Sequence, residues 1–75
     1  MIFYVVLYDT DTGSSTVKQF KNEADASKVF QEESVNNTRD SIQVNLLSAE
    51  NFEELKKSWG RFFMGKREIH LEPLQ

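Results

Sequence analysis

The chain has 75 residues, a net charge of -3 and no cysteine. A single domain of this size buries only about 60% of the surface that its unfolded chain exposes, so we expect modest stability. The absence of cysteine excludes disulfides and thiolate zinc sites, and the acidic balance argues against a general phosphate-binding surface. The N-terminal apolar run is too short to cross a membrane and lacks the basic residues that begin a signal peptide. We therefore expect a soluble, cytoplasmic domain with no membrane partner.

The first predicted strand, residues 2–8, is apolar on both of its faces. Alternate side chains of an extended chain point to opposite sides, so this strand presents two apolar sets. The sets are Phe3, Val5 and Leu7 on one side and Ile2, Tyr4, Val6 and Tyr8 on the other. A strand that faced water on one side would instead alternate apolar with polar residues. Both faces of this strand therefore require cover, from the chain itself or from another molecule.

The next two elements are a hairpin strand and a helix. A turn containing Asp and Gly at residues 9–13 predicts a hairpin into a second strand at 15–20. The polar pattern of that strand is typical of an exposed edge of a sheet. Asn22 is the expected N-cap of a first helix over residues 23–34, which carries a narrow apolar stripe.

The second half of the chain repeats the alternation of strand and helix. A third strand is predicted over residues 41–47, where apolar and polar residues alternate. A second helix is expected to begin at Ser48 or Asn51, because both are N-cap residues and apolar residues follow at helical spacing. Gly60 weakens the end of this helix, and its continuation beyond that residue stays open. A last strand is predicted over residues 67–72.

The element order ββαβαβ predicts the fold class. We expect an α+β two-layer sandwich, in which an antiparallel or mixed sheet of three to four strands carries both helices on one face. Right-handed crossover connections place the third strand on the far side of the first, so the first strand is central. The whole chain then forms one domain, and one face of its sheet stays open.

The open sheet face is the leading candidate site. It would carry Tyr4, Val6 and Tyr8, an apolar patch with hydroxyl groups, and aromatic residues are enriched at protein interfaces. We therefore expect a non-catalytic protein-interaction module that forms a homodimer or docks onto a protein partner, occluding a site on it. The competing interpretation is that the chain covers this face itself. The small size and the lack of recognisable chemistry fit a protein of a phage or mobile element.

A basic segment at residues 56–67 carries the alternative function. Its five cations, with no acidic residue among them, are Lys56, Lys57, Arg61, Lys66 and Arg67. Aromatic residues lie between them, and cations with exposed rings are the groups that bind phosphates and stack on bases. The alternative is thus a nucleic-acid or nucleotide-binding module. Two of the cations also suit the C-terminal end of a helix, which is a purely structural role.

Other chemistries find little support in the sequence. Glu68, His70 and Glu72 share one face of a predicted strand, but alternating polar residues are ordinary on an exposed strand. One histidine, no cysteine and three isolated glycines match neither a nucleophilic triad nor a phosphate-binding loop. We therefore predict no catalytic residue, no metal, no cofactor and no enzymatic activity.

Overall fold

A computed structural model describes residues 1–37, 39–60 and 68–74. The elements, in chain order, are β1 (Ile2–Asp9), β2 (Ser15–Phe20), α1 (Glu23–Asn36), β3 (Ile42–Ala49), α2 (Phe52–Ser58) and β4 (Ile69–Leu74). They form a mixed four-stranded sheet of order β3-β1-β2-β4 with two helices. This confirms the predicted α+β class and the order ββαβαβ. The central position of β1, antiparallel to both neighbours, is also as predicted.

The hairpin between β1 and β2 is fixed by an aspartate and a glycine. The side chain of Asp9 accepts hydrogen bonds from the backbone amides of Asp11 and Thr12, at 2.9 and 3.3 Å. Gly13 then adopts a φ of 77°, in the left-handed region that favours glycine. Its amide donates to the carbonyl of Asp9 at 2.7 Å, which closes the turn.

Both helices begin at an asparagine cap. The side-chain oxygen of Asn22 accepts from the amide of Ala24 at 2.7 Å, and that of Asn51 accepts from Glu54 at 2.9 Å. Of the two predicted starts for α2, Asn51 is therefore the correct one, and Ser48 belongs to β3. The helix ends at Ser58, and its continuation past Gly60 concerns residues 61–67, which lie outside the described residues.

The prediction that β2 forms an exposed edge is wrong. β2 lies between β1 and β4, and it pairs with β4 in parallel. Its polar residues are used inside the fold. Lys18 forms an ion pair with Glu33 of α1 at 3.4 Å, and the side chain of Gln19 donates to the carbonyl of Glu72 in β4 at 2.9 Å. A polar strand pattern can thus reflect internal pairing as well as exposure.

The prediction that both helices lie on one face is also wrong, so the sheet has a helix on each side. Ala26 of α1 packs with Val5 on one face, and Leu55 of α2 packs with Tyr4 on the other. The reason lies in the connections. The β2-α1-β3 crossover and the β3-α2-β4 crossover join parallel strands but run in opposite directions across the sheet. Two such crossovers of the same hand must lie on opposite faces.

The core accordingly consists of two apolar clusters separated by the sheet. The cluster beneath α2 contains the fully buried residues Tyr4, Val6, Val17 and Leu55. The cluster beneath α1 is built on the buried residues Val5, Phe20 and Ala26. Both clusters reach β3 at one edge of the sheet, where the apolar side chains are only half-buried.

Candidate functional site

The predicted patch of Tyr4, Val6 and Tyr8 is not an open surface. Tyr4 and Val6 are 0% exposed beneath α2, and Tyr8 is half-buried. The expectation that Tyr4 and Val6 contact a partner is therefore wrong, because α2 covers this face. The interpretation that the chain covers the face itself is the correct one. The error follows from placing both helices on the same side of the sheet.

The hydroxyl of Tyr4 is buried without a hydrogen-bond partner in the described part of the chain. Burial raises the pKa of Tyr4 above its ordinary value of 10.0, because the charged phenolate would lose its hydration. The ring lies 6.4 Å from that of Phe52, measured between centroids. Tyr4 thus acts as a core residue whose polar atom lowers the stability of the fold.

The described cations of the basic segment have partners within α2. Lys56 lies 3.1 Å from Glu53 and 5.3 Å from the ring centre of Phe52, and Lys57 lies 3.4 Å from Glu54. These i,i+3 ion pairs support the helix. The remaining predicted contacts with an anion, Arg61, Lys66 and Arg67, lie outside the described residues. The described residues therefore bring no cluster of unpaired cations together.

The predicted polar face of β4 carries a single short contact. His70 lies 2.9 Å from Glu68, and both side chains are exposed. Across residues 1–37, 39–60 and 68–74, no group of three His, Asp or Glu side chains is arranged to hold a metal ion. Within the same ranges, neither helix has the length and apolar character that crossing a membrane requires.

The two edges of the sheet differ sharply in character. β4, at one edge, contains a proline, and its pairing with β2 shifts register between Val17 and Gln19. Proline, irregular pairing and charged residues are the devices by which proteins prevent unwanted strand pairing. β3, at the other edge, has eight residues without proline or charge, and it pairs with β1 in one unbroken register. Only the β4 edge is thus protected among the described strands.

The hydrogen-bond pattern shows which backbone groups of β3 point outward. The amide of Thr10 donates to the carbonyl of Ser41, one position beyond Asp9 and Ile42, the last pair of the β1–β3 ladder. Bonded pairs alternate along an antiparallel ladder, so the odd-numbered residues of β3 bond to β1. The N–H and C=O groups of Val44, Leu46 and Ser48 consequently face away from the sheet. We call these outward groups, with the strand that carries them, the β3 edge.

The chain was compared with protein families, curated proteins and solved structures. No family model, curated protein or solved structure matches the chain. Sequence reasoning missed the β3 edge, although a signal was present, because no charged residue occurs between Asp40 and Glu50.

The side chains of β3 extend both apolar clusters to the edge. Val44 and Leu46 pack on the side of α1, and Leu47 and Ala49 pack on the side of α2. All four remain half-buried, because no further strand lies beside them in the described structure. The amide nitrogen of Asn45, on the α2 side, is buried without a hydrogen-bond partner. The β3 edge thus combines outward backbone groups, incompletely covered apolar side chains and one unsatisfied amide.

Proposed function

We propose that this chain is a non-catalytic protein-interaction module that binds a partner strand along the β3 edge. The observation that carries the proposal is the contrast between the two edges: β4 has protective features, and β3 has none. Proteins protect sheet edges because an unprotected edge pairs with any available strand. The β3 edge is unprotected while the opposite edge of the same sheet is protected, and a partner that pairs with β3 explains this difference best.

The energetics of strand addition support this mode of binding. Main-chain hydrogen bonds supply affinity, and pockets for alternate side chains supply specificity. Each net hydrogen bond stabilises by about 1 kcal/mol, and burial of apolar area adds roughly 25 cal/mol per Å². Both terms are available at β3, where outward backbone groups run beside the half-buried Val44, Leu46 and Leu47. A partner strand would also cover the exposed ends of the two apolar clusters.

The proposal keeps the interaction function expected from the sequence and moves its surface. Self-association, or docking that occludes a site on a protein partner, now involves β3 instead of Tyr4, Val6 and Tyr8. We propose the cytoplasm as the location, since the chain contains no cysteine. A phage or mobile-element origin stays an expectation.

A peptide selection tests the proposal. The wild-type chain serves as bait for a displayed library of random peptides, and the selected peptides are titrated against two variants. One variant, Gln43→Lys with Ser48→Lys, places an exposed lysine on each face of β3. The matched control, His70→Lys with Leu71→Lys, does the same on β4, where both residues are exposed. We expect extended, apolar peptides whose binding the β3 lysines abolish and the β4 lysines leave unchanged.

Two results would contradict the proposal. One is a selection whose peptides bind both variants equally. The other is binding of oligonucleotides that weakens steeply with salt and ignores the β3 lysines, since release of counterions from phosphates gives that dependence. The second result would favour the basic segment as the functional surface.

A further inference from the structure

We infer that the partner strand is β3 of a second copy of this chain, paired antiparallel about a two-fold axis at Asn45. This inference rests on the proposed function and names the molecule that binds the β3 edge. An antiparallel strand pair is self-complementary, so one surface serves both copies. Pairing of β3 with a second β3 also meets no charge repulsion within the strand, because none of its eight residues is charged.

The outward backbone groups match in this arrangement. With Asn45 on the axis, Val44 of one copy faces Leu46 of the other, and Ile42 faces Ser48. Val44, Leu46 and Ser48 are the residues whose N–H and C=O groups point outward, so the bonded pairs of the new ladder fall on unused groups. The amide of Ile42 already donates to the carbonyl of Arg39 at 3.1 Å, and its carbonyl accepts from the second copy.

The side chains match as well. Val44 and Leu46 of the two copies meet on the side of α1. This contact joins the cluster beneath α1 in one copy to the same cluster in the other. On the side of α2, the two Asn45 side chains stand directly opposite each other in a non-hydrogen-bonded pair, with Cα atoms about 4.5 Å apart. Each amide can then donate to the carbonyl oxygen of the other. Because the amide nitrogen is buried within one copy, the Asn45 side chain must turn toward the axis to make this contact, and the nitrogen then gains the partner that it lacks in one copy.

Neighbouring registers fit the same strand less well. An axis at Leu46 would set Asn45 opposite Leu47, leaving the amide beside an apolar side chain. An axis at Leu47 would set Asn45 opposite Ala49, which is also apolar. A buried asparagine pair is also a known means of fixing one register, because a shift of the register separates the two asparagines.

A cysteine scan along β3 tests this register. The chain has no native cysteine, so each variant carries one thiol. In Asn45→Cys, the two thiols oppose each other at a Cα distance within the disulfide range of about 4.4–6.8 Å. We expect rapid formation of an intermolecular disulfide under mild oxidation. The matched control Gln43→Cys, on the same face, places its thiols about 13 Å apart and is expected to stay monomeric on a denaturing gel.

The opposite results are equally clear. A crosslink in Leu46→Cys without one in Asn45→Cys would overturn the register. A second measurement is independent of the crosslink: Asn45→Asp sets two carboxylates across the axis and should weaken dimerisation at neutral pH by about tenfold or more. Asn36→Asp, on the exposed end of α1, is its control. Unchanged dimerisation of Asn45→Asp would contradict the inference.

The inference and the proposed function fail separately. A strictly monomeric wild-type chain would overturn the second copy as occupant. If that monomer still bound selected peptides in a manner sensitive to the β3 lysines, the interaction function would stand with another partner. A monomer that also binds no peptide at the β3 edge would contradict both the inference and the proposed function.

Discussion

Tyr4 of β1 and Phe52 of α2 pack with their ring centroids 6.4 Å apart, and this contact helps to close one face of the sheet. α2 has only seven residues, and an isolated helix of that length does not persist in water. Its stability comes from packing on β1, mainly through Leu55, which is fully buried. The cover of this face therefore depends on a few apolar contacts.

Leu55→Ala tests the role of that contact. The substitution leaves a cavity between α2 and the sheet, and we expect the free energy of unfolding to fall by about 2–5 kcal/mol. Urea unfolding measures the change. Lys57→Ala, on the exposed side of the same helix, is the control and should change stability by less than about 0.5 kcal/mol. Equal effects of the two substitutions would contradict the packing of α2 on Tyr4.

Tyr4→Phe removes only the buried hydroxyl. Because this group has no hydrogen-bond partner among the described residues, we expect stability at neutral pH to be unchanged or raised by about 1 kcal/mol. Urea midpoints of the two proteins check this. A loss of stability would mean that the hydroxyl forms a stabilising hydrogen bond.

The same pair of proteins should differ in alkaline solution. Burial raises the pKa of Tyr4 in the folded state, so the folded chain retains a proton that the unfolded chain releases above pH 10.0. The stability linked to Tyr4 is therefore fully present below that pH and is lost as the pH rises through the folded pKa. We expect wild type to lose more stability than Tyr4→Phe above pH 10.0. Parallel curves would contradict the burial of this phenol.

The two glycines 13 and 60 should respond differently to alanine. Gly13 has a φ of 77°, where a Cβ atom introduces strain, so Gly13→Ala should destabilise the chain by about 1–2 kcal/mol. Among the described residues, no atom lies within 4 Å of a Cβ built on Gly60, so Gly60→Ala should be tolerated. Thermal unfolding compares them, and a larger loss at Gly60 would argue against the described turn.

The N-cap of α2 can be tested by removing its side-chain oxygen. Asn51→Ala deletes the oxygen that accepts from the amide of Glu54, and we expect a loss of about 1 kcal/mol. Asn51→Asp keeps an acceptor at the same position and adds a negative charge that favours the helix N-terminus, so it should retain the stability of wild type. Urea unfolding distinguishes the two. Equal losses would show that the cap contributes nothing.

The sequence predicted those features that depend on local chemistry. The turn residues Asp9 and Gly13 and the cap Asn22 act through neighbours in the chain, and the structure bears them out. The central place of β1 followed from the right-handed crossover that joins β2 to β3. The face of the sheet on which each helix lies was harder to predict, because it depends on the directions of both crossovers, β2-α1-β3 and β3-α2-β4. The surface at Tyr4 was consequently misplaced, and the β3 edge emerged only once the strand order was known.

The solution mass of the wild-type chain tests the central claim most directly. Light scattering over a wide range of concentration should show a dimer that dissociates on dilution, and Gln43→Lys with Ser48→Lys should remain monomeric at every concentration. His70→Lys with Leu71→Lys should behave as wild type. A wild-type monomer at all concentrations, or a dimer that the β3 lysines leave intact, would contradict pairing of two copies along the β3 edge.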